Sequence, residues 1–255
     1  IAESDGVVIG SMSVTANRVD TTASTATTDT SKTQEDLTTA NDGAIILTAT
    51  DITLGGGADS TGLSAAGAGN VLLQASTDGI TINADIDGGS GHITILATTA
   101  TDGVLTQDAD ITTTSTGTID IEADSITFND GKTTSTGSGN IRYKATNAMT
   151  IGDISTSGDV SLIAASITDS GTTDTDVTAD ELRINVTGTG GVGNSSNHLE
   201  TTVAKLSADV KSDGLFITEA DNLIIDKLNA IAVNRVGTDG TMTSTPTDAA
   251  QEDLA

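Results

Sequence analysis

Three pairs of aspartates are the residues of this sequence whose type and spacing are best suited to chemistry. Each pair brackets one residue near a turn, and the pairs are Asp85 with Asp87, Asp108 with Asp110, and Asp174 with Asp176. Carboxylate oxygens are ligands that Ca²⁺ prefers, and stacked turns would bring several of them together. No pair completes a recognised calcium loop, and Asp is a common turn residue. The pairs therefore predict at most weak Ca²⁺ binding, and we expect no other metal or cofactor.

Residues that could carry out catalysis are scarce. The two histidines, His92 and His198, lie in different repeats, and Cys is absent, so there is no thiol nucleophile or disulfide. Arg142 and Lys144 flank Tyr143 on one strand and could form a small sugar-contacting patch, although solvent-facing strand charges are the simpler interpretation. We expect no enzyme and no catalytic residue. A carbohydrate-binding or polysaccharide-cleaving β-helix domain is the alternative.

The elements that would position these residues are short and repeated. One motif, G-x-[IV]-x-[LIY]-x-A with some freedom at its third and fifth positions, occurs six times at intervals of 19 to 26 residues. Its copies begin at Gly43, Gly69, Gly91, Gly117, Gly139 and Gly158. Apolar residues alternate within each copy, which predicts a short strand with one inward face.

One such unit cannot close a core, because it offers a single inward row and leaves both strand edges unpaired. A parallel β-helix (β-solenoid) of about 20–26 residues per coil satisfies both needs, with Thr-rich loops inserted between coils. The competing fold is a string of β-sandwiches, which normally carry a core Trp or Tyr and several prolines. This chain has no Trp, one Tyr and one Pro, so an all-β parallel β-helix is predicted.

Composition restricts the partners. The chain has 36 acidic and 10 basic residues, a net charge of −26, which disfavours nucleic acid and anionic lipid. No apolar run approaches the roughly 20 residues of a membrane span. Aromatic residues make up only 1% of the chain, so the core is expected to consist of small branched side chains.

A second repeat is much longer than the first. The frame I-x-E-x-D recurs at Ile1 and Ile217, Asn-Arg-Val recurs at Asn17 and Asn234, and Gln-Glu-Asp-Leu recurs at Gln34 and Gln251. The last two matches are each 217 positions apart and the first is 216, so the period is about 217 residues with one insertion. The copies are expected to occupy equivalent coils.

The two repeats divide the chain into four parts. Residues 1–20 are predicted to end one long period, 21–41 to be a Thr-rich loop insertion, 42–236 to form the β-helix, and 237–255 to be the Thr-rich segment equivalent to 21–38.

The sequence resembles the β-helical repeat regions of large secreted bacterial exoproteins, the filamentous-haemagglutinin-type adhesins and related giant surface proteins. The resemblance rests on the phrases G-N-V-L-L-Q-A at Gly69 and D-G-I-T-I at Asp78, and on the segments Ala179 to Thr201 and from Gly214. It implies a structural or adhesive protein, extracellular or at the cell surface, and one period of a long fibre, stalk or filament. The expected partners are neighbouring periods of the same chain or of identical chains, joined end to end, with surface glycans or other cells as further partners.

Overall fold

The structure is a computed structural model that describes residues 1–19, 21–22, 25–30, 33–98 and 103–254. Its regular structure in these ranges is entirely β, and successive coils pair in parallel with the coil before and the coil after. The predicted all-β parallel β-helix is therefore confirmed, and the sandwich alternative is wrong. Residues 23–24 and 31–32 of the predicted Thr-rich loop, and Ala255, lie outside the described residues.

Each coil contributes strands to three faces, which we call A, B and C. Face A contains Ile45–Ala49, Val71–Ala75, Ile93–Ala97, Ile119–Ala123, Ile141–Ala145, Val160–Ala164 and Ile224–Ile225. Face B contains Val7–Ile9, Ile52–Leu54, Ile80–Ile82, Val104–Gln107, Ser125–Phe128, Ala148–Ile151 and Ser166–Asp169. Face C contains Leu37–Thr39, Thr61–Ala65, Asp85–Asp87, Ile111–Thr112, Thr133–Ser135, Asp153–Ser155 and Ile217–Glu219. Two long strands, Val177–Val186 and Leu199–Asp209, begin on face C and end on face A.

The short motif coincides with face A. Its third and fifth positions point inward and stack in register, so that Ile93 pairs with Ile119 and Ile95 with Ile121, all four fully buried. The branched side chains form continuous columns, which explains how a narrow core closes with almost no aromatic residues. The leading glycine is needed because coils approach closely there: a Cβ on Gly91 would collide with the carbonyl oxygen of Gly69.

The C-terminal segment, residues 226–254, leaves the coils and runs back along face A as an antiparallel hairpin that we call the strap. Its strands are Ile231–Ala232, Arg235–Val236, Met242–Ser244 and Thr247–Asp248, paired first with fourth and second with third. The hairpin closes where Leu228 and Gln251 exchange two backbone hydrogen bonds. The sequence places residues up to 236 in the β-helix, whereas in the structure the coils end at Ile225.

The same hairpin occurs at the other end of the chain. Thr15–Val19 pairs with Thr25–Thr30 in antiparallel fashion, and Met12 and Gln34 exchange two backbone hydrogen bonds. The register also repeats. Arg18 lies opposite Thr27, and the residues 217 positions after these two, Arg235 and Ser244, also lie opposite each other. Both copies of Asn-Arg-Val are therefore equivalent, as expected, but they lie in a hairpin outside the coils. The Thr-rich stretch supplies the returning strand of that hairpin.

Candidate functional site

The surface with the most specific side-chain chemistry is face A beneath the strap. The fourth position of the short motif points outward in every coil. An outward side chain of a strand normally meets solvent. In five of the six copies these residues are buried because the strap covers them, and they are Leu72, Thr94, Asp120, Arg142 and Ser161. Ile46 of the first copy is only partly buried. The strap contributes its own apolar side chains, with Leu228, Ile231, Val233 and Val236 all buried.

An ion cluster lies at the centre of this covered surface. Arg142 on face A lies with Nη1 2.9 Å from Asp120 Oδ1 and 2.6 Å from Glu122 Oε1, and its Nε lies 3.0 Å from Asp248 Oδ2 on the strap. Arg235, also on the strap, lies with Nε 2.7 Å from Asp120 Oδ2 and Nη2 2.8 Å from Glu122 Oε1. Two guanidinium groups and three carboxylates thus bridge the strap to two adjacent coils.

The cluster shifts the acidity of Glu122. Burial by itself would raise the pKa of this carboxyl, but hydrogen bonds and charge from Arg235 and Arg142 outweigh burial and lower the pKa to about 2. Glu122 is therefore ionised throughout the physiological range. A buried charge is tolerated only when it is paired, so the cluster fixes where the strap must lie on face A.

Hydrogen bonds fix the strap along its length. The strap backbone donates from Asn234 N to Thr118 Oγ1 and from Val236 N to Thr94 Oγ1, each at 2.9 Å. Near its tip Asn70 Nδ2 donates to Gly240 O at 2.9 Å, and near its base Gln251 Nε2 donates to Ile184 O at 2.8 Å. These hydrogen bonds therefore attach the strap to the coils from the one that contains Asn70 to the one that contains Ile184.

His92 belongs to this surface, which its position in the sequence did not indicate. The backbone N–H of Thr118 donates to Nδ1 at 3.0 Å, and Nε2 lies 3.3 Å from Asn234 Nδ2 on the strap. Burial lowers the pKa of His92, so the neutral ring is favoured. His198 lies elsewhere, with Nδ1 2.9 Å from Thr218 Oγ1 and its ring 5.8 Å from that of Phe216.

The Arg142–Tyr143–Lys144 trio does not form a sugar-contacting patch. Arg142 is covered by the strap, and Tyr143 points into the core, where its ring stacks on Phe128 with centroids 5.9 Å apart. The Tyr143 hydroxyl donates to Gln107 Oε1 at 2.7 Å and lies 2.6 Å from Thr134 Oγ1. Only Lys144 of the three is exposed.

Three of the six predicted calcium candidates share one corner of the solenoid, where each coil passes from face B to face C. Asp85, Asp110 and Asp176 each precede the first inward residue of face C. Their carboxylates accept backbone N–H groups of the following coil: Asp85 Oδ1 from Asp110 N at 3.0 Å, Asp110 Oδ1 from Thr133 N at 2.8 Å, and Asp176 Oδ2 from Glu200 N at 2.6 Å. Asp85 and Asp110 are thus occupied in joining coils.

The other three candidates are exposed. Asp87 Oδ1 accepts a hydrogen bond from Gly89 N at 2.8 Å, which is an ordinary turn contact. Asp108 and Asp174 lie on loops, and Asp174 lies near Asp153. Burial, followed by the charges of Asp174, Asp130 and Asp110, raises the pKa of Asp153 to about 6. The members of each sequence pair therefore do not share a site.

Asp176 differs from the rest of the corner because further acids surround it. One ligand oxygen each from Asp169, Asp176 and Glu200 lies within 4.8 Å of the others. Burial and the neighbouring Asp169 raise the pKa of Asp176 well above its usual range. Sequence reasoning missed Asp169 and Glu200 because they lie on a different face and a different coil, and it missed the pairing of Asp120 with Arg235 for the same reason.

No membrane-spanning helix occurs among the residues that the structure describes. Comparisons of the chain with protein-family models, with curated proteins and with solved structures found no match.

Proposed function

We propose that this chain is a structural, adhesive repeat protein of the cell surface, and that it represents one period of about 217 residues in a long extracellular fibre or stalk. Its role would be mechanical, with stacked backbone hydrogen bonds providing length and acidic, Thr-rich surfaces providing solubility. The acidic composition and the resemblance to secreted exoproteins support the location.

The observation that carries the proposal is the duplicated coil-and-hairpin module. Ile1 to Leu37 precedes a solenoid and Ile217 to Leu254 follows one, and both contain the same closing hydrogen bonds and the same hairpin register. A module that can both begin and end a solenoid is what continuous stacking of periods requires.

Burial differs between the copies as such stacking predicts. Leu228 of the strap is 0% exposed, whereas its counterpart Met12 is 64% exposed. Ile1 is likewise exposed, whereas its counterpart Ile217 is partly buried. A preceding period would supply the face on which the first hairpin lies. Burial of these side chains would then stabilise the junction by the ordinary hydrophobic effect.

The test is a two-period protein in which residues 1–254 are followed directly by a second copy of residues 38–254. Each period contains about eight coils at ~4.8 Å, so small-angle X-ray scattering should show a rod about 40 Å longer than the single chain. Stability should also rise, because the junction adds a coil–coil interface. The matched control joins the same two segments through a flexible Gly/Ser linker.

Scattering from two flexibly joined units, with the melting temperature of the single chain, would contradict the proposal. An intact mass near 25.4 kDa for the native polypeptide would contradict it as well, because a long fibre made of tandem periods must have a far larger mass.

A further inference from the structure

Asp169 occupies a position in the core where a carboxylate is unexpected. It ends the face B strand Ser166–Asp169 and pairs with Ile151 of the preceding coil, which is fully buried. Asp169 itself is only 8% exposed. An apolar side chain would continue the inward column, so the carboxylate costs stability unless something compensates its charge.

The bonding of the surrounding oxygens is incomplete. Asp169 Oδ1 accepts from Gly171 N at 2.6 Å and Asp176 Oδ2 accepts from Glu200 N at 2.6 Å, which orients both carboxylates. Asp169 Oδ2 and Glu200 Oε2 are buried and have no hydrogen-bond partner among the described residues.

The side chain of Asn197 contacts the backbone of Asp169. The Asn197 amide donates from Nδ2 to Asp169 O at 3.3 Å, and its Oδ1 is also buried without a partner in the described part of the chain. None of the ion pairs described for this chain brings a Lys or Arg to Asp169, Asp176 or Glu200. Buried polar atoms without a hydrogen-bond partner or an opposite charge need an explanation, and a bound cation provides one.

We propose that Asp169, Asp176 and Glu200, together with the amide oxygen of Asn197, bind one divalent cation, and that this cation is Ca²⁺. The donor set consists of oxygen atoms alone, with three carboxylates and one amide, which suits a hard cation with a large and flexible coordination shell. Mg²⁺ demands near-ideal octahedral geometry and gives up its water reluctantly, so it suits this set less well. The bound ion ties the end of face B to the following coil, where apolar stacking is interrupted by Asp169.

The experiment uses the full chain, freed of metal with a chelator, in 150 mM NaCl so that diffuse counter-ion binding is suppressed. Calorimetric titration with CaCl₂ should give one site per chain. Thermal unfolding should shift upward by about 5 °C or more at a hundredfold excess of Ca²⁺ over the dissociation constant. MgCl₂ at the same concentration should shift it less.

Two variants separate the site from general acidity. Asp169→Ile restores the apolar column, so without metal it should be at least as stable as the parent chain, and it should lose the response to Ca²⁺. Asp169→Asn keeps the shape and should weaken binding by at least tenfold, which provides a measurement if the isoleucine variant does not fold. Asp174→Asn removes a nearby exposed carboxylate and should leave the response unchanged.

Equal Ca²⁺ responses in the parent chain, Asp169→Ile and Asp174→Asn would overturn the proposal, since the ion would then bind as a diffuse counter-ion. No response in the parent chain would overturn it too, and the acids would then be compensated by a shared proton.

Discussion

Arg235 on the strap and Asp120 on face A form an ion pair between residues 115 positions apart, with Nε 2.7 Å from Oδ2. Asp120 is 0% exposed, and its other oxygen accepts from Arg142 at 2.9 Å. The carboxylate therefore depends on two cations, one from the neighbouring coil and one from the strap. This ion pair joins the strap to face A at the centre of the covered surface.

Replacement of Arg235 by Gln should destabilise the protein by about 3 kcal/mol, because breaking a buried pair leaves a charge without compensation. Urea denaturation would measure the change, and hydrogen exchange should show that protection is lost first in the strap. The matched control is Lys227→Gln, which removes an exposed pair with Glu252 and should cost less than about 1 kcal/mol. Equal losses in the two variants would show that the cluster does not hold the strap.

Acidification should loosen the strap through Glu122. The folded pKa of about 2 lies below the ordinary value of 4.5, so the stability that this group contributes is present above pH 4.5 and is lost as the pH falls towards 2. The stability advantage of the parent chain over Glu122→Gln should therefore shrink between pH 4.5 and 2. Denaturation curves across this range would measure it, with the exposed Glu252→Gln as the control. A constant advantage down to pH 2 would contradict the assignment.

His92 should add a second step at higher pH. Burial lowers its folded pKa below the ordinary 6.5, so its contribution is present above pH 6.5 and is lost as the pH falls through the folded value. In the His92→Gln variant, the pH dependence of hydrogen exchange in the strap should lack this step. The step at lower pH that is caused by Glu122 should persist.

Loss of the Tyr143 hydroxyl should be costly despite its distance from any surface. Tyr143→Phe leaves Gln107 Oε1 without its donor in the core, and we expect a loss of about 1–3 kcal/mol by chemical denaturation. The double variant Tyr143→Phe with Gln107→Leu should recover part of this loss, because the stranded amide is removed. Thr150→Val breaks an exposed hydroxyl contact with Thr168 and serves as the control. A fully additive double variant would contradict the proposed coupling.

The glycine that begins each short motif should not tolerate a side chain. Gly91→Ala would force a methyl group against Gly69 O and should cost about 1–3 kcal/mol in thermal unfolding. Gly10→Ala is the control, because a Cβ at that position meets nothing within 4 Å, and its effect should stay within ~0.5 kcal/mol. Similar effects at both positions would mean that the coils can separate to accommodate the methyl group.

The solenoid could be predicted because its signal is local and repeated. Alternation such as Ile93, Ile95 and Ala97 specifies an inward row, and the recurrence of that row at a fixed place in each unit specifies stacking. The confirmed register of Ile93 with Ile119 follows from aligning the motif copies.

The strap could not be predicted in the same way, since its partners are far apart in sequence and its polar residues resemble those of a loop. Arg235 was visible only as part of a repeated tripeptide, and nothing near it in the sequence indicates Asp120. The outward position of Arg142 was read correctly, but its burial depends on a segment about a hundred residues later. The acids around Asp176 were missed for the same reason, because Glu200 reaches them from the next coil.

The duplicated module is turned relative to the solenoid that it meets. Ala2 bridges Thr48 on face A and Val8 pairs with Thr53 on face B, whereas Thr218 pairs with Glu200 on face C and Ile224 pairs with Lys205 on face A. The strand that stacks on face C of the preceding coils in one copy therefore stacks on face A of the following coils in the other copy. The strand that stacks on face A in the first case likewise stacks on face B in the second. In a continuous fibre successive straps would therefore lie on different sides. Any ligand or cell that recognises the straps would then meet them on more than one side of the fibre.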